Sequence, residues 1–207
     1  MPAFHFDIKV LPAQGIITVK IIVWLLALWP FLALVYGVLT QQLGPNPVET
    51  LTRNTGWWTL VLLCVTLSVT PLRKTLKWPW LIRLRRLLGL FAFFYACLHF
   101  TTWLWFDHFF DLLSLLNDVV KRPFITVGFV AFVMLVPLAL TSSNAMVRRL
   151  GGKRWQYLHR LVYLILPLGV LHFWWHKAGK NDFTEPVVFV LIIVLLLAIR
   201  VWWRWRT

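Results

Sequence analysis

Residues 153–175, KRWQYLHRLVYLILPLGVLHFWW, decide how the chain is read. After a basic start the stretch is almost wholly apolar for about 20 residues, the length an α-helix needs to cross the hydrocarbon core of a bilayer. Yet it carries His159 and His172, thirteen positions apart. Ionisable side chains inside lipid are costly, face the interior of a helical bundle and mark functional positions.

Segments of the same character recur on both sides. The 207 residues are 60% hydrophobic and 16% aromatic, with a positive mean hydropathy, which is too apolar for a water-soluble domain. Six spans are expected near residues 16–39, 57–69, 87–106, 124–140, 155–175 and 187–203. Continuous apolar runs without alternation favour helices over a closed barrel. The fold class is therefore an all-α integral membrane protein, a six-helix bundle in which residues 1–207 form one transmembrane domain. The first run is too long for the core of a cleavable signal peptide and is expected to stay as a helix.

The net charge of +14 raises the question of a nucleic-acid partner, and the placement of the charges answers it. They lie between the spans. With a cytoplasmic N-terminus, the inner segments hold 16 of the 21 lysines and arginines, in the groups Lys9 and Lys20, Arg73 to Arg86, Arg148 to Arg160, and Arg200 to Arg206. The outer segments keep Arg53, Lys121, Arg122, Lys177 and Lys180 with six of the seven acids. This positive-inside pattern puts both termini in the cytoplasm and the basic loops against anionic lipid headgroups, and it argues against nucleic acid.

Local signals organise the rest. Gly44-Pro45-Asn46-Pro47 breaks the chain after the first span, Pro71 is expected to close the second, and Asn54 to Trp58 read as a helix start. Ser142-Ser143-Asn144 can cap a short helix containing Met146 to Leu150. Tryptophans cluster at span ends as an interfacial belt. Cys64 and Cys97 lack metal or redox spacing and read as small apolar core residues. There is no phosphate-binding or dinucleotide-binding glycine motif, so electrons or substrates are expected to come from something else.

Six histidines remain to be sorted. His5 and His108 lie in polar flanks and are expected in solvent, and His176 sits at the outer end of the fifth span. His99 lies thirteen residues beyond Arg86, roughly 20 Å at 1.5 Å per residue, and His172 lies as far beyond His159. His99 and His172 thus reach similar depth in the outer half of the membrane. Two neutral imidazoles on different helices, in aromatic surroundings with little acid nearby, suit the axial positions of a bis-histidine haem better than a four-ligand zinc site, the alternatives being structural hydrogen-bonding histidines or a proton-relay or transport site. Thirteen residues turn an ideal helix by about 220°, so His159 shares no face with His172 unless the helix is distorted, for instance at Pro167. His159 is left open: a second, inner haem with an unusual partner, a propionate or quinone contact, or a flavin contact.

Taken together, these residues resemble the MsrQ (formerly YedZ) family, the haem-binding membrane subunits of the bacterial periplasmic protein-methionine-sulfoxide reductase system, within the wider ferric-reductase-like transmembrane group. The resemblance rests on Gly44-Pro45-Asn46-Pro47-Val48-Glu49, Thr55-Gly56, Thr70-Pro71-Leu72, IRLRRLLG at 82–89 leading to Leu98-His99, Lys121-Arg122-Pro123-Phe124, Thr141-Ser142, Gly152-Lys153-Arg154-Trp155-Gln156, Leu158-His159, and Pro167 to His172. It covers roughly residues 44–177. It implies a b-type cytochrome in the bacterial inner membrane, with one haem b or two, associated with FMN and quinone. Electrons from the quinone pool or a cytoplasmic flavin reductase would pass to a periplasmic molybdopterin-containing subunit that reduces methionine sulfoxide in proteins. The family's haem histidines carry over onto His99, His172 and His159, with the substrate chemistry on the partner and no catalytic residue in this chain. The competing reading is a self-contained ferric or quinone reductase of the same fold.

Overall fold

The structure, a computed structural model, describes residues 11–179 and 181–206, without the side chain of Arg206. His5, Lys9 and Lys180 lie outside the described residues. Nine α-helices occur among the described residues: α1 (Ala13–Leu39), α2 (Pro47–Leu76), α3 (Arg85–Thr102), α4 (Leu112–Lys121), α5 (Pro123–Leu140), α6 (Asn144–Leu150), α7 (Gly152–His159), α8 (Val162–Ala178) and α9 (Thr184–Arg206). A 3₁₀ turn, Pro79–Leu84, leads into α3, and a π-helical turn, Trp103–Asp107, leads out of it.

Six stretches are long and apolar enough to cross a membrane: Ala13–Leu39, Pro47–Leu76, Pro79–Asp107, Pro123–Leu140, Gly152–Ala178 and Thr184–Trp205. The all-helical, six-span architecture is the expected one. α2 lies centrally, against α1, α3, α8 and α9, and α5 packs on α8. Leu63 and Leu67 of α2, Ala92 and Tyr95 of α3, and Ile165 and Leu166 of α8 fill the centre. Large apolar side chains such as Trp29, Leu39 and Leu191 stay exposed around it, as a lipid-facing surface requires.

The second span departs most from expectation. It begins ten residues early: Asn46 is its N-cap, accepting the Glu49 N–H at 3.1 Å, and Pro47 takes the first helical position. Asn54 is therefore no helix start but an interior residue, donating to the Thr50 carbonyl at 2.9 Å. Nor does Pro71 end the helix, which continues to Leu76 and stops at Lys77 in the left-handed conformation. Proline removes the N–H that would bond the carbonyl four residues back, here that of Leu67. Nη2 of Arg200, reaching across from α9, donates to that carbonyl. The helix runs on because a neighbour supplies the missing donor.

A similar repair joins α1 to α3. Pro30 interrupts α1, and next to it the Tyr95 hydroxyl donates to Ala27 O at 2.8 Å while accepting the Phe31 N–H at 2.9 Å. The hydroxyl thus bridges the carbonyl and amide that a regular helix would bond directly.

In the fifth span the distortion lies at Arg160–Leu161, where i→i+3 bonds (Arg160 N to Tyr157 O and Leu161 N to Leu158 O, each 3.1 Å) divide α7 from α8. Pro167 sits inside α8. α6 is capped as expected, the Ser143 hydroxyl accepting from Met146 N at 3.1 Å. α4 was not foreseen. Ten residues cannot span a bilayer, and its signal was the Asp111 N-cap, which accepts from Leu113 N at 2.9 Å and Ser114 N at 3.3 Å ahead of LLSLLNDVVK.

If Arg200 replaces the donor lost at Pro71, Arg200→Met leaves a buried carbonyl unsatisfied and destabilises the bundle by about 1–3 kcal/mol. The expected result is a lower thermal transition in detergent, with a smaller loss when the same change is made beside Pro71→Ala. Equal losses in both backgrounds would show that the carbonyl plays no part.

Candidate functional site

α3 and α8 bring His99 and His172 together. Their ring centres lie 6.1 Å apart with planes crossed at 71°. Each ring is tethered through Nδ1 to a backbone carbonyl: His99 to Thr52 O of α2 at 2.9 Å, and His172 to Phe124 O of α5 at 2.7 Å. A carbonyl only accepts, so Nδ1 carries the proton in both rings and Nε2 keeps the lone pair. Metal-binding imidazoles are oriented by this kind of bond.

The two tethers share a construction. Four residues after each accepting carbonyl stands a glycine: Gly56 after Thr52, and Gly128 after Phe124. A Cβ on Gly56 would lie 3.0 Å from Nδ1 of His99, and one on Gly128 would lie 2.7 Å from Nδ1 of His172. Each imidazole therefore lies directly on the backbone of a neighbouring helix, in a space that any larger residue would fill. Sequence reasoning found the histidines and missed these glycines. The signal was present as Thr52-x-x-x-Gly56 and Phe124-x-x-x-Gly128, but it has no meaning until the rings are placed.

Both histidines line a cavity of about 450 Å³, within the range of cofactor-sized pockets. One end is walled by Leu60, Leu63, Leu135 and Ile165, and the other carries Asn46, Glu49, Arg53, Asp107, Arg122 and His176. Phe100 and Phe132 stack at 4.6 Å along the wall. Trp103, another lining residue, has a buried Nε1 with no hydrogen-bond partner among the described residues. Among those residues, no three His, Cys, Asp or Glu side chains group to hold a metal ion.

His159 stands apart from this pair. It ends α7, its ring stacks on Trp155 at 4.0 Å, and its Nε2 lies 3.1 Å from Thr141 Oγ1. Because that hydroxyl donates to Pro137 O at 2.6 Å, it accepts from Nε2 of His159. His108, expected in solvent, is instead buried, between Ser114 Oγ at 2.9 Å and Asp118 Oδ2 at 3.1 Å. The local polarity of its flank was misleading because α4 folds back over it.

The fold and cavity thus define a six-span helical membrane protein built around a paired-histidine pocket. Residues 55–170 match the family model described as "Ferric reductase like transmembrane component". The chain is 65% identical over 188 residues to the "Protein-methionine-sulfoxide reductase heme-binding subunit MsrQ" of Herminiimonas arsenicoxydans, covering 91% of this chain and 86% of that protein. Its likeness to proteins of the same name is 59% over 198 residues in Ralstonia nicotianae, covering 96% and 91%, and 53% over 186 residues in Polaromonas naphthalenivorans, covering 90% and 85%. The chain belongs to the MsrQ family, within the ferric-reductase-like transmembrane group.

At the polar rim, Arg122 forms a two-pronged pair with Asp118, which also meets His108. Burial, the largest single influence, pushes the Asp118 pKa up. The Arg122 hydrogen bond and charge, with His108 adding to both, outweigh it and bring the carboxyl below its usual value. A depressed carboxylate stabilises above its unfolded pKa of about 4, and that stability is lost as pH falls through the lower folded value. Hydrogen-exchange protection of α4, corrected for intrinsic rates, should hold to about pH 4 and fall below it. Asp118→Asn should lower protection at neutral pH and flatten that dependence. An acid transition persisting in the variant would assign it to another group.

Proposed function

We propose that this chain is the haem-carrying membrane subunit of a protein-methionine-sulfoxide reductase system, with His99 and His172 as the axial ligands of one haem b. The observation that carries this reading is the pair of imidazoles anchored through Nδ1, each presenting a lone pair at Nε2. Two nitrogen donors are too few for a zinc site but complete a macrocycle that brings four of its own. The two rings, 6.1 Å apart centre to centre and carried on different helices, are the residues that would hold the iron of such a group. The glycine cradles and aromatic wall provide a dry, fixed setting.

A bound haem supplies one-electron transfer. The chain holds its ligands still: the Thr52 and Phe124 carbonyls keep both imidazoles in one tautomer, and Phe100, Phe132 and Leu135 limit water. Reduction of one methionine sulfoxide consumes two electrons and two protons and releases water, so electrons would pass singly and the substrate chemistry would lie on a partner. The positive-inside pattern orients the polar end of the cavity toward the periplasm of a bacterium, with both termini cytoplasmic in the inner membrane. That end would face the molybdopterin-containing subunit.

The donor side falls at the opposite end, where Arg86 Nη2 bonds Asn144 Oδ1 at 2.7 Å and His159 stacks on Trp155. The family resemblance supplies FMN, quinone and a cytoplasmic flavin reductase as candidates there. With its Nε2 committed to Thr141, His159 is assigned to this donor end and not to the His99–His172 haem.

The test is the reduced-minus-oxidised visible spectrum of purified protein, with haem quantified chemically. His99→Ala and His172→Ala should each abolish the b-type signal, while His159→Ala should retain it. Gly128→Ala should weaken haem retention roughly 10–100-fold, the size of outer-shell losses at metal sites, and Gly56→Ala should do so less. A colourless wild type after haem-supplemented expression would overturn the reading.

A further inference from the structure

We infer that Arg53 and Arg122 form a carboxylate clamp at the polar end of the cavity and hold the two peripheral carboxylates of the porphyrin, fixing which edge of the macrocycle faces the rim. The inference rests on the haem reading above. Its own support is the polarity of the cavity and the position of the two guanidinium groups.

Arg53 directly follows Thr52, whose carbonyl tethers His99, and Arg122 stands two residues before Phe124, whose carbonyl tethers His172. The backbone that fixes each imidazole thus also delivers one arginine to the rim, one from α2 and one from the start of α5. Both line the cavity, and both side chains are partly exposed, at 37% and 46%. Arg53 uses Nη1 to hold Glu49 at 3.1 Å, and Arg122 uses Nε and Nη2 to hold Asp118. A guanidinium has five N–H donors in a planar fork, so donors remain on each for a second carboxylate. α2 and α5 also begin at this end, turning the positive ends of their dipoles toward it.

The reverse orientation is unfavourable. It would place two carboxylates among Leu60, Leu63, Leu135 and Ile165, where no cation among the described residues lines the wall. Burying unpaired charge costs far more than the guanidinium contacts return. Glu49 and Asp107 share the rim and oppose an anion there, and this makes the clamp testable by sign.

The full-length protein, purified without haem, is titrated with protohaem and with its dimethyl ester, which lacks both carboxylate charges. Wild type should prefer protohaem by at least about tenfold, the scale of hydrogen bonds to charged groups. Arg53→Gln and Arg122→Gln should each shrink that preference severalfold, and together abolish it. Redox titration should show a lower midpoint potential in both variants and a higher one in Glu49→Gln, because loss of a cation favours the ferric state and loss of an anion the ferrous. A structural role for the Arg53–Glu49 pair would instead move Arg53→Gln and Glu49→Gln the same way. Equal affinity of wild type for both haems overturns the clamp without needing any variant. If both haems bind with spectra that depend on His99 and His172 but without discrimination, the clamp fails and the haem reading stands. If neither binds with such a spectrum, the haem reading fails as well.

Discussion

Backbone polar groups in the hydrocarbon core must find their partners within the protein, and this constraint shapes both scaffold and cavity. Arg200 answers the Leu67 carbonyl orphaned by Pro71. Tyr95 bridges Ala27 and Phe31 beside Pro30. Extending the same rule to ring nitrogens, His99 and His172 give Nδ1 to the Thr52 and Phe124 carbonyls. What remains at each ring is a lone pair on Nε2, so satisfying the rule for a histidine in lipid also leaves it a donor nitrogen, the one the proposed function uses.

The six spans were legible because hydropathy is a local property. The long α2 was not: Thr52, Arg53 and Asn54 lower its early hydropathy, and Pro71 looks like a stop until Arg200, 133 residues beyond Leu67, is brought to the Leu67 carbonyl. The pairing of His99 with His172 followed from counting residues inward from charged edges, a one-dimensional depth argument that survives modest errors in helix ends. Gly56 and Gly128 were beyond such counting, since a glycine's value here depends on a ring from another helix. His108 failed for the converse reason: a polar neighbourhood in sequence became a buried one when Ser114 and Asp118 closed over it. Spacing alone gives His159 no partner, and it stands at the end of α7, outside the lining of the cavity.

The cavity's asymmetry links fold to function. Its apolar end lies among α2, α5 and α8, and its polar end gathers the starts of α2 and α5 with the ends of α3 and α8. On the proposed reading, an amphiphilic cofactor would take one orientation there, with its polar edge on the side that the positive-inside pattern turns outward. Under the proposed function, a carrier held by two such tethers would need little rearrangement on changing charge, as a relay to substrate chemistry on a partner requires.

The most direct test of the central claim is low-temperature electron paramagnetic resonance of the ferric, haem-loaded protein. Two Nδ1-tethered imidazoles with crossed planes predict a single low-spin species of the strongly anisotropic type given by bis-imidazole iron with non-parallel rings, lost in either His99→Ala or His172→Ala. A high-spin ferric signal in the wild type, or a low-spin signal unchanged when either histidine is replaced, would contradict it.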